Sequence, residues 1–182
     1  LRLIYDAAHA FGCSHDGRLI GSFGDLEVFS FNATKFFHTL EGGAVVTNND
    51  DIAYTVRSMK YYGFGHDREL IGVGTNGKMH EVSAATGLVL LEDLDELIAV
   101  NRRHYMRYNE ELRGVPGVHL LTYDDREQRN YQYVVLEIDH AAAGVSRDCL
   151  NNVLRAENIL ARRYFYPGCH RLEPYRSLFP ET

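Results

Sequence analysis

The chain has 182 residues, of which 45% are apolar and 24% charged, and it carries a formal net charge of −6. This composition is ordinary for a folded globular protein and too apolar for a disordered one. The acidic balance argues against a dedicated nucleic-acid-binding protein, although a few well-placed donors would still suffice to bind a small anionic ligand.

The first part of the chain predicts three strands and then a helix. Strands are expected at residues 3–5, 26–31 and 44–47. The first of them ends at Asp6, and the third follows a Gly-Gly turn. The polar run at residues 48–50 offers capping groups for the helix. This order of elements favours an α/β fold.

A glycine-rich connection at residues 63–77 separates this layer from two helices. Connections of that length are usually functional or mobile. Residues 80–92 predict a helix rich in small side chains, and a second helical pattern runs on to Arg113. The apolar face of the first helix is expected to consist of Ala84, Ala85, Leu88 and Leu91.

The remaining residues predict a small α+β lobe, joined to the first part by the long helix. Ser146 can cap one helix of this lobe. We therefore predict a larger domain over residues 1–95 and a smaller C-terminal domain over residues 96–182. The strands of the lobe are expected at residues 118–122, 131–138 and 159–165.

Lys35 follows the second predicted strand and has Phe31, Phe36 and Phe37 as close neighbours in sequence. An amine in an apolar pocket loses hydration as a cation and becomes a usable nucleophile towards carbonyls. Ser30 lies where the end of a strand could present a hydroxyl to a phosphate. On spacing alone, however, a solvated loop lysine is the more common explanation.

Asp6 lies at the carboxyl end of its strand, where ligands bind in open α/β sheets. A carboxylate there can pair with a protonated ring nitrogen of a cofactor, or it can cap a short helix over the following residues. His9, one turn further on, can face the same pocket. A lone histidine is nevertheless more often structural.

Residues 5–50 resemble the DegT-type nucleotide-sugar aminotransferases, a fold-type-I family. That family shows an Asp-Ala-Ala-His or -Gln segment, a glycine-rich stretch, a Phe-Ser-Phe strand, a lysine and a Glu-Gly-Gly turn. The resemblance continues through residues 74–103 and, more loosely, residues 161–175. It implies the second half of a large domain with a mixed sheet, followed by a small α+β lobe. The residues that carry it are Asp6, Ala7, Ala8, His9, Phe29, Ser30, Phe31, Lys35, Glu41, Gly42 and Gly43.

The resemblance also implies pyridoxal 5'-phosphate as the cofactor and a role for each site residue. Lys35 would join the cofactor as a Schiff base and move the proton during the reaction. Asp6 would pair with the pyridine nitrogen, His9 would lie against the ring or its hydroxyl, and Ser30 would bind the phosphate. Asn76 would reach the cofactor phosphate of a neighbouring subunit, so a homodimer with shared active sites is expected.

The implied reaction transfers an amino group, with glutamate as the expected donor, to a keto-sugar of a nucleotide-sugar. Such a step belongs to the biosynthesis of deoxyaminosugars in surface polysaccharides or antibiotics. Tyr166 or His170 is expected to touch the sugar or the nucleotide. A second interpretation is a sugar dehydratase that uses pyridoxamine phosphate. Those relatives replace the lysine with histidine, so Lys35 favours transamination.

Members of the family are considerably longer than this chain, which lacks an initiator methionine and opens like a buried strand. The missing half would supply more of the sheet, a phosphate cup and an aromatic residue that stacks on the cofactor. We therefore expect a fragment that by itself binds the cofactor poorly and is inactive. A third interpretation is a truncated, non-catalytic relative that dimerises or binds a ligand.

No stretch approaches the roughly 20 continuous apolar residues of a membrane-spanning helix. The N-terminal residues also lack the order of a signal peptide. Three widely spaced cysteines, Cys13, Cys149 and Cys169, form no paired motif, and neither Cys13 with His15 nor Cys169 with His170 has a second ligand pair at zinc spacing. We predict a cytoplasmic protein without a metal site and without membrane or nucleic-acid partners.

Overall fold

A computed structural model describes residues 1–181 of the chain. The described residues divide into two compact units, one of Leu1–Arg107 with Tyr123–Tyr133, the other of Tyr108–Thr122 with the residues from Val134 onward. The strands are β1 (Ile4–Asp6), β2 (Ser14–His15), β3 (Arg18–Leu19), β4 (Leu26–Ser30), β5 (Gly43–Val46), β6 (Val118–Leu120) and β7 (Leu136–Ile138). The helices are α1 (Asp50–Lys60), α2 (Glu81–Glu92), α3 (Leu94–Glu111), α4 (His140–Ala143), α5 (Arg147–Ala156) and α6 (Tyr175–Leu178).

The first unit contains a mixed sheet in the order β1-β4-β5. β1 runs parallel to β4, with Asp6 aligned to Val28, and β4 runs antiparallel to β5, with Ser30 aligned to Gly43. All three strands expected in this part of the chain are present. The predicted α/β fold with a mixed sheet is therefore confirmed.

Four buried side chains form the core of this unit, and three of them are aromatic. They are Ala7, Phe29, Phe31 and Phe37. Phe11 packs on them, stacked on Phe37 at 4.5 Å between ring centroids and edge-on to Phe31 at 5.2 Å. Aromatic pairs at these separations stabilise a core beyond the area that they bury. Two of its members, Phe31 and Phe37, belong to the loop that carries Lys35.

Helix α1 begins as the sequence predicts. Asn49 caps it, and its side-chain oxygen accepts a hydrogen bond from the Ile52 amide at 3.0 Å. α2 also forms at the expected position, but the predicted buried face, Ala84, Ala85, Leu88 and Leu91, is exposed. Gly87 is the buried residue of α2. Because α2 is apolar on most of its circumference, periodicity could not identify the face that packs.

The second unit is the expected small α+β lobe. β6 and β7 pair antiparallel, with Val118 aligned to Ile138, and Ser146 caps α5 by accepting a hydrogen bond from the Cys149 amide at 3.2 Å. Only Leu136–Ile138 of the strand predicted at 131–138 is a strand.

The strand predicted over residues 159–165 is wrong. Its backbone is bonded to α5 and to itself instead of to another strand: the Ile159 amide donates to the Leu154 carbonyl at 2.8 Å, and the Asn151 side chain donates to the Ala161 carbonyl at 3.1 Å. The domain division at residues 95 and 96 stays a prediction. Among residues 1–181, no helix is both long and apolar enough to cross a bilayer.

Candidate functional site

Asp6 and Ser30 end two neighbouring parallel strands, β1 and β4, and therefore lie at the same edge of the sheet. The Asp6 carboxylate accepts a hydrogen bond from the Ala8 amide at 3.1 Å, and residues 7–12 form turns instead of the short helix considered above. Ser30 is half-buried, and its hydroxyl oxygen accepts from the Asn32 amide at 3.4 Å. Both side chains thus lie where open α/β sheets bind ligands.

Residues 31–42, the lysine loop, return the chain from β4 to β5. The Phe31 carbonyl accepts from the Thr39 amide at 2.9 Å, and the Phe31 amide donates to the Gly42 carbonyl at the same distance. Phe31 and Phe37 are only 8% and 3% exposed. These two buried rings anchor the loop on both sides of Lys35, whose own side chain is half-buried.

Asn32 braces the same loop with both ends of its amide group. Its nitrogen donates to the two Glu41 carboxylate oxygens at 2.9 Å each. Its oxygen accepts from the Thr34 amide at 3.0 Å and from the Thr34 hydroxyl at 2.9 Å. The Lys35 amide in turn donates to the Asn32 backbone carbonyl at 2.9 Å. The backbone that carries Lys35 is therefore held by side chains on both arms of the loop.

Two close approaches explain glycines around this loop. A Cβ on Gly43 would come within 2.6 Å of the Phe29 carbonyl oxygen, which is backbone and cannot move aside easily. A Cβ on Gly87 would come within 2.8 Å of the Thr39 side-chain methyl. Helix α2 therefore packs directly on the lysine loop at the one position where it has no side chain.

His9 connects Lys35 electrostatically with Asp6. Burial lowers the pKa of His9, the positive charge of Lys35 lowers it further, and the negative charge of Asp6 opposes both effects. A lowered pKa favours the neutral form of the imidazole at pH 7. Since charges act strongly only over short distances, Lys35 and Asp6 both lie near the imidazole of His9.

A segment that the sequence did not single out holds His9 in place. Asn130 is 5% exposed, and its side-chain nitrogen donates to the backbone carbonyls of His9 at 2.8 Å and Phe11 at 3.0 Å. The Tyr133 hydroxyl lies 3.3 Å from His9 Nε2, with the ring centroids 4.8 Å apart. No pattern in the sequence points to Asn130 or Tyr133, because their partner His9 lies 121 and 124 residues earlier in the chain.

Gln132 connects the same segment to the lysine loop. Its side-chain oxygen accepts from the Phe36 amide at 3.3 Å, which fixes the orientation of the amide group. Its side-chain nitrogen is then buried and has no hydrogen-bond partner among residues 1–181. An unpaired buried donor is costly, so Gln132 offers an unused hydrogen bond beside Lys35.

The other predicted site residues lie elsewhere. Asn76 is exposed on the glycine-rich loop (residues 63–77), and no contact of the described residues links it to Lys35. Tyr166 and His170 are exposed residues of the second unit. The Tyr166 ring is covered by the Arg147 guanidinium at 4.2 Å, and His170 lies in a 3-10 turn, Cys169–Arg171.

One group of side chains within the described residues could offer ligand atoms to a metal ion. His15, Asp16 and Glu127 bring possible ligand atoms within 4.8 Å of one another. Glu127 already accepts hydrogen bonds from the Ser14 hydroxyl and the Gly17 amide, and these lower its pKa. The group thus connects the turn between β2 and β3 to the segment that holds His9.

A sequence model of the DegT/DnrJ/EryC1/StrS aminotransferase family matches residues 1–182. The chain belongs to this family. It is 40% identical over 180 residues to a dTDP-4-amino-4,6-dideoxy-D-glucose transaminase of Shigella dysenteriae, and the match covers 98% of this chain. It is 32% identical over 181 residues, again 98% of this chain, to an Escherichia coli protein of the same name.

Among solved structures, the chain is similar to DesI, whose crystal structure was analysed in the presence of its TDP-sugar product. The TM-score is 0.90 at 49% identity, over 97% of this chain and 45% of that chain. The chain spans about half the length of the curated relatives that it matches, since each match covers 48% of the relative. This agrees with the prediction that only one half of a family member is present.

Proposed function

We propose that this chain carries the lysine-bearing part of a pyridoxal-phosphate-dependent aminotransferase. The enzyme would transfer an amino group from glutamate to a keto-sugar of a nucleotide-sugar. The proposal rests on one observation above all: Asp6 and Ser30 end two parallel strands at one edge of the sheet, and the lysine loop follows directly from the second strand. The names of the relatives, which act on a dTDP-linked amino sugar, support the substrate class.

The side chains at this edge fit the chemical groups of pyridoxal phosphate, the cofactor on which aminotransferases of this family depend. Lys35 is a half-buried amine for the carbonyl of the cofactor, and Asp6 is a carboxylate for its basic ring nitrogen. Ser30 has a hydroxyl proton without an acceptor among the described residues. The unpaired amide nitrogen of Gln132 is a further donor for a ligand oxygen.

When bound, pyridoxal phosphate supplies an electron sink for the bond that breaks at the α-carbon of the amino acid. Lys35 Nζ would take the proton from that α-carbon and deliver it during transfer. The Asp6 carboxylate would keep the ring nitrogen protonated, and the Ser30 hydroxyl would donate to a phosphate oxygen. Overall, the amino acid becomes a 2-oxo acid, and the carbonyl of the sugar becomes an amine.

His9 would contribute as a neutral ring. Its lowered pKa keeps a second positive charge away from a protonated cofactor nitrogen, whose charge Asp6 has to balance. Tyr133 would fix the orientation of the imidazole through Nε2, and Asn130 fixes the backbone on which His9 lies. We regard these two as positioning residues, because they act through His9 and through the backbone.

We further propose that the complete protein is a homodimer, in which Asn76 reaches the cofactor phosphate of the partner subunit. The exposed position of Asn76 on a glycine-rich loop supports this proposal. Tyr166 and His170, which are also exposed, are proposed to contact the nucleotide-sugar.

Reductive trapping tests the proposed role of Lys35 without requiring turnover. The chain has three lysines, Lys35, Lys60 and Lys78, and the last two are exposed internal controls. The protein is incubated with excess pyridoxal phosphate and reduced with borohydride, and the labelled peptides are quantified by mass spectrometry. Weak binding is sufficient, because reduction accumulates each bound molecule irreversibly.

We expect the label to concentrate on Lys35, although access alone would favour the two exposed lysines. Lys35→Arg should remove that label and leave the labelling of Lys60 and Lys78 unchanged. Pyridoxal without its phosphate should label Lys35 less, because the contact with Ser30 is lost. Labelling of Lys60 or Lys78 to the same extent as Lys35 would remove the basis for the proposal.

A further inference from the structure

One short segment of the chain bonds both to His9 and to the lysine loop. Residues 130–133, the bridging segment, hold His9 through Asn130 and Tyr133, as described above. Gln132, which lies between these two residues, bonds to the lysine loop. The bridging segment therefore links the part of the chain that carries His9 to the part that carries the proposed Schiff-base lysine.

Gln132 reaches the lysine loop one residue after Lys35. Its side-chain oxygen accepts a hydrogen bond from the Phe36 amide at 3.3 Å, and Phe36 directly follows Lys35. The two partners are 96 residues apart in the chain. The Asn32 bonds described above act within the loop, whereas this bond ties the loop to a distant part of the chain.

The Gln132 side chain makes this contact at a cost. With its oxygen turned towards the Phe36 amide, its nitrogen is buried and has no hydrogen-bond partner among residues 1–181. A buried donor without a partner lowers stability. An apolar side chain would avoid that loss, but it would offer no acceptor to the Phe36 amide. The glutamine thus gives up part of its own stabilisation to hold the backbone beside Lys35.

The backbone of the bridging segment is strained next to Gln132. Tyr131 has a φ of 51°, in the left-handed region that side chains other than glycine rarely adopt. The Gln132 amide donates to the Asn130 side-chain oxygen at 3.1 Å and fixes the turn around Tyr131. Strain of this kind persists only where surrounding contacts determine the conformation, and it clusters at functional sites. Here the strained residue and the unpaired donor are neighbours in the segment that contacts His9.

We propose that Gln132 is a positioning residue for Lys35, one that holds the backbone beside Lys35 at a fixed place relative to His9. This role rests on the proposed function, since it assumes that Lys35 reacts with the carbonyl of the cofactor. Gln132 acts through the Phe36 backbone, and its amide nitrogen stays available as a donor. An amine and a carbonyl react efficiently only in the right geometry, and a misplacement of about 1 Å is enough to slow such a reaction strongly.

Gln132→Met tests this role, because methionine has a similar length but no acceptor oxygen for the Phe36 amide. The full 182-residue chain is trapped with pyridoxal phosphate and borohydride as above, and the label on Lys35 is divided by the label on the two exposed lysines. This ratio should fall by at least about threefold in Gln132→Met. Gln128→Met, which changes an exposed glutamine in the same stretch of chain, is the matched control and should leave the ratio unchanged.

A milder variant guards against loss of folding. Gln132→Asn keeps the polar group but shortens the side chain by one methylene, so the oxygen no longer reaches the Phe36 amide. The ratio should fall in this variant as well. Urea titration of each variant identifies the folded ones, and labelling is compared only among those.

A second measurement separates positioning from a general effect on stability. Lys35→Met should raise the pKa of His9, because it removes a nearby positive charge. In a Gln132→Asn background, the same change should raise the pKa by at most about half as much, because the ammonium group is no longer held at short distance. NMR titration of the imidazole protons measures both shifts.

The outcomes distinguish the positioning role from the proposed function. If label concentrates on Lys35 in the unmodified chain but neither Gln132 variant changes the ratio or the effect of Lys35 on His9, the positioning role is wrong and the proposed function stands. If label does not concentrate on Lys35 in the unmodified chain, the proposed function fails. In that case an unchanged effect of Lys35 on the pKa of His9 also overturns the positioning role, and a halved effect supports it.

Discussion

The lysine loop and the glycine-rich loop each carry a predicted site residue, but they are stabilised in different ways. The lysine loop is anchored by buried rings, above all Phe37, which is 3% exposed. The glycine-rich loop exposes its apolar side chains, including Leu70 at 70% and Val73 at 91%. Its order comes from backbone bonds instead, for example from the Gly77 amide to the Lys60 carbonyl at 2.9 Å.

The chain therefore stabilises the lysine loop with its own buried residues, whereas the glycine-rich loop leaves its apolar side chains exposed to the surroundings. Lys35 lies on a backbone that is held by buried neighbouring rings and by the hydrogen bonds of Asn32. Asn76 lies on a loop whose apolar residues remain uncovered, and exposed apolar side chains of this kind are available to another surface. Exposed apolar side chains around Asn76 are what we expect if this loop contacts a partner subunit, as proposed above.

The largest effect should come from removing the anchor of the lysine loop. Phe37→Ala leaves a cavity in the aromatic core and should lower the free energy of unfolding by about 3–5 kcal/mol. Phe64→Ala is the matched change in the glycine-rich loop, where the ring is 37% exposed, and should cost about 1 kcal/mol. Urea titrations of the two variants give both values.

If both variants lost the same free energy of unfolding, the two loops would not differ in how strongly buried side chains anchor them. The reverse order would show that the glycine-rich loop contributes more to the core than its exposed side chains indicate. The unfolding slope with urea should be unchanged for both variants, so that the difference reflects stability alone.

The parts of the molecule that depend on local sequence were predictable. The Asn49 side chain caps α1 by accepting a hydrogen bond from the Ile52 amide, only three residues further along the chain. The Gly-Gly turn leads into β5. Lys35 could be predicted as the cofactor lysine only because the resemblance gave an order to Asp6, His9 and Ser30. The structure then provides a physical reason for that order, since β1 and β4 are parallel and end at one edge.

The parts that depend on distant partners were not predictable. Asn130 bonds to the His9 carbonyl, 121 residues earlier in the chain, and a polar residue gives no sign of such a partner. The segment at 159–165 has the composition of a strand, but its backbone bonds are made with α5. In α2 the one buried residue is a glycine, which no hydrophobic pattern can identify.

A smaller effect should follow from crowding the turn at the end of the lysine loop. Gly43→Ala brings a Cβ against the Phe29 carbonyl oxygen and should cost about 1–3 kcal/mol, because backbone has to shift. Gly72→Ala, in the glycine-rich loop, has no atom within 4 Å of the new Cβ and should change stability by less than about 0.5 kcal/mol. Thermal unfolding of the two variants measures the difference, and a cost at Gly72 comparable to that at Gly43 would contradict the geometry.

The smallest effect, and the most specific to the site, concerns the titration of His9. Lys35→Met removes a positive charge and should raise the pKa of His9, whereas Asp6→Asn removes a negative charge and should lower it. NMR titration of the imidazole carbon protons measures both shifts, and Lys60→Met, an exposed lysine on α1, is the control that should leave the pKa unchanged.

The lowered pKa of His9 also contributes to the dependence of stability on pH. Since the pKa of His9 is lower in the folded protein than the ordinary value of 6.5, the unfolded chain binds this proton more readily. The contribution of neutral His9 to the free energy of unfolding is therefore fully present above pH 6.5. It is lost as the pH falls through that value towards the pKa of His9 in the folded state. His9→Gln should remove this loss, and Lys35→Met should reduce it. If neither variant changes the slope of stability between pH 5 and 7, or if both charge variants shift the pKa of His9 in the same direction, then Lys35 and Asp6 do not both act on His9.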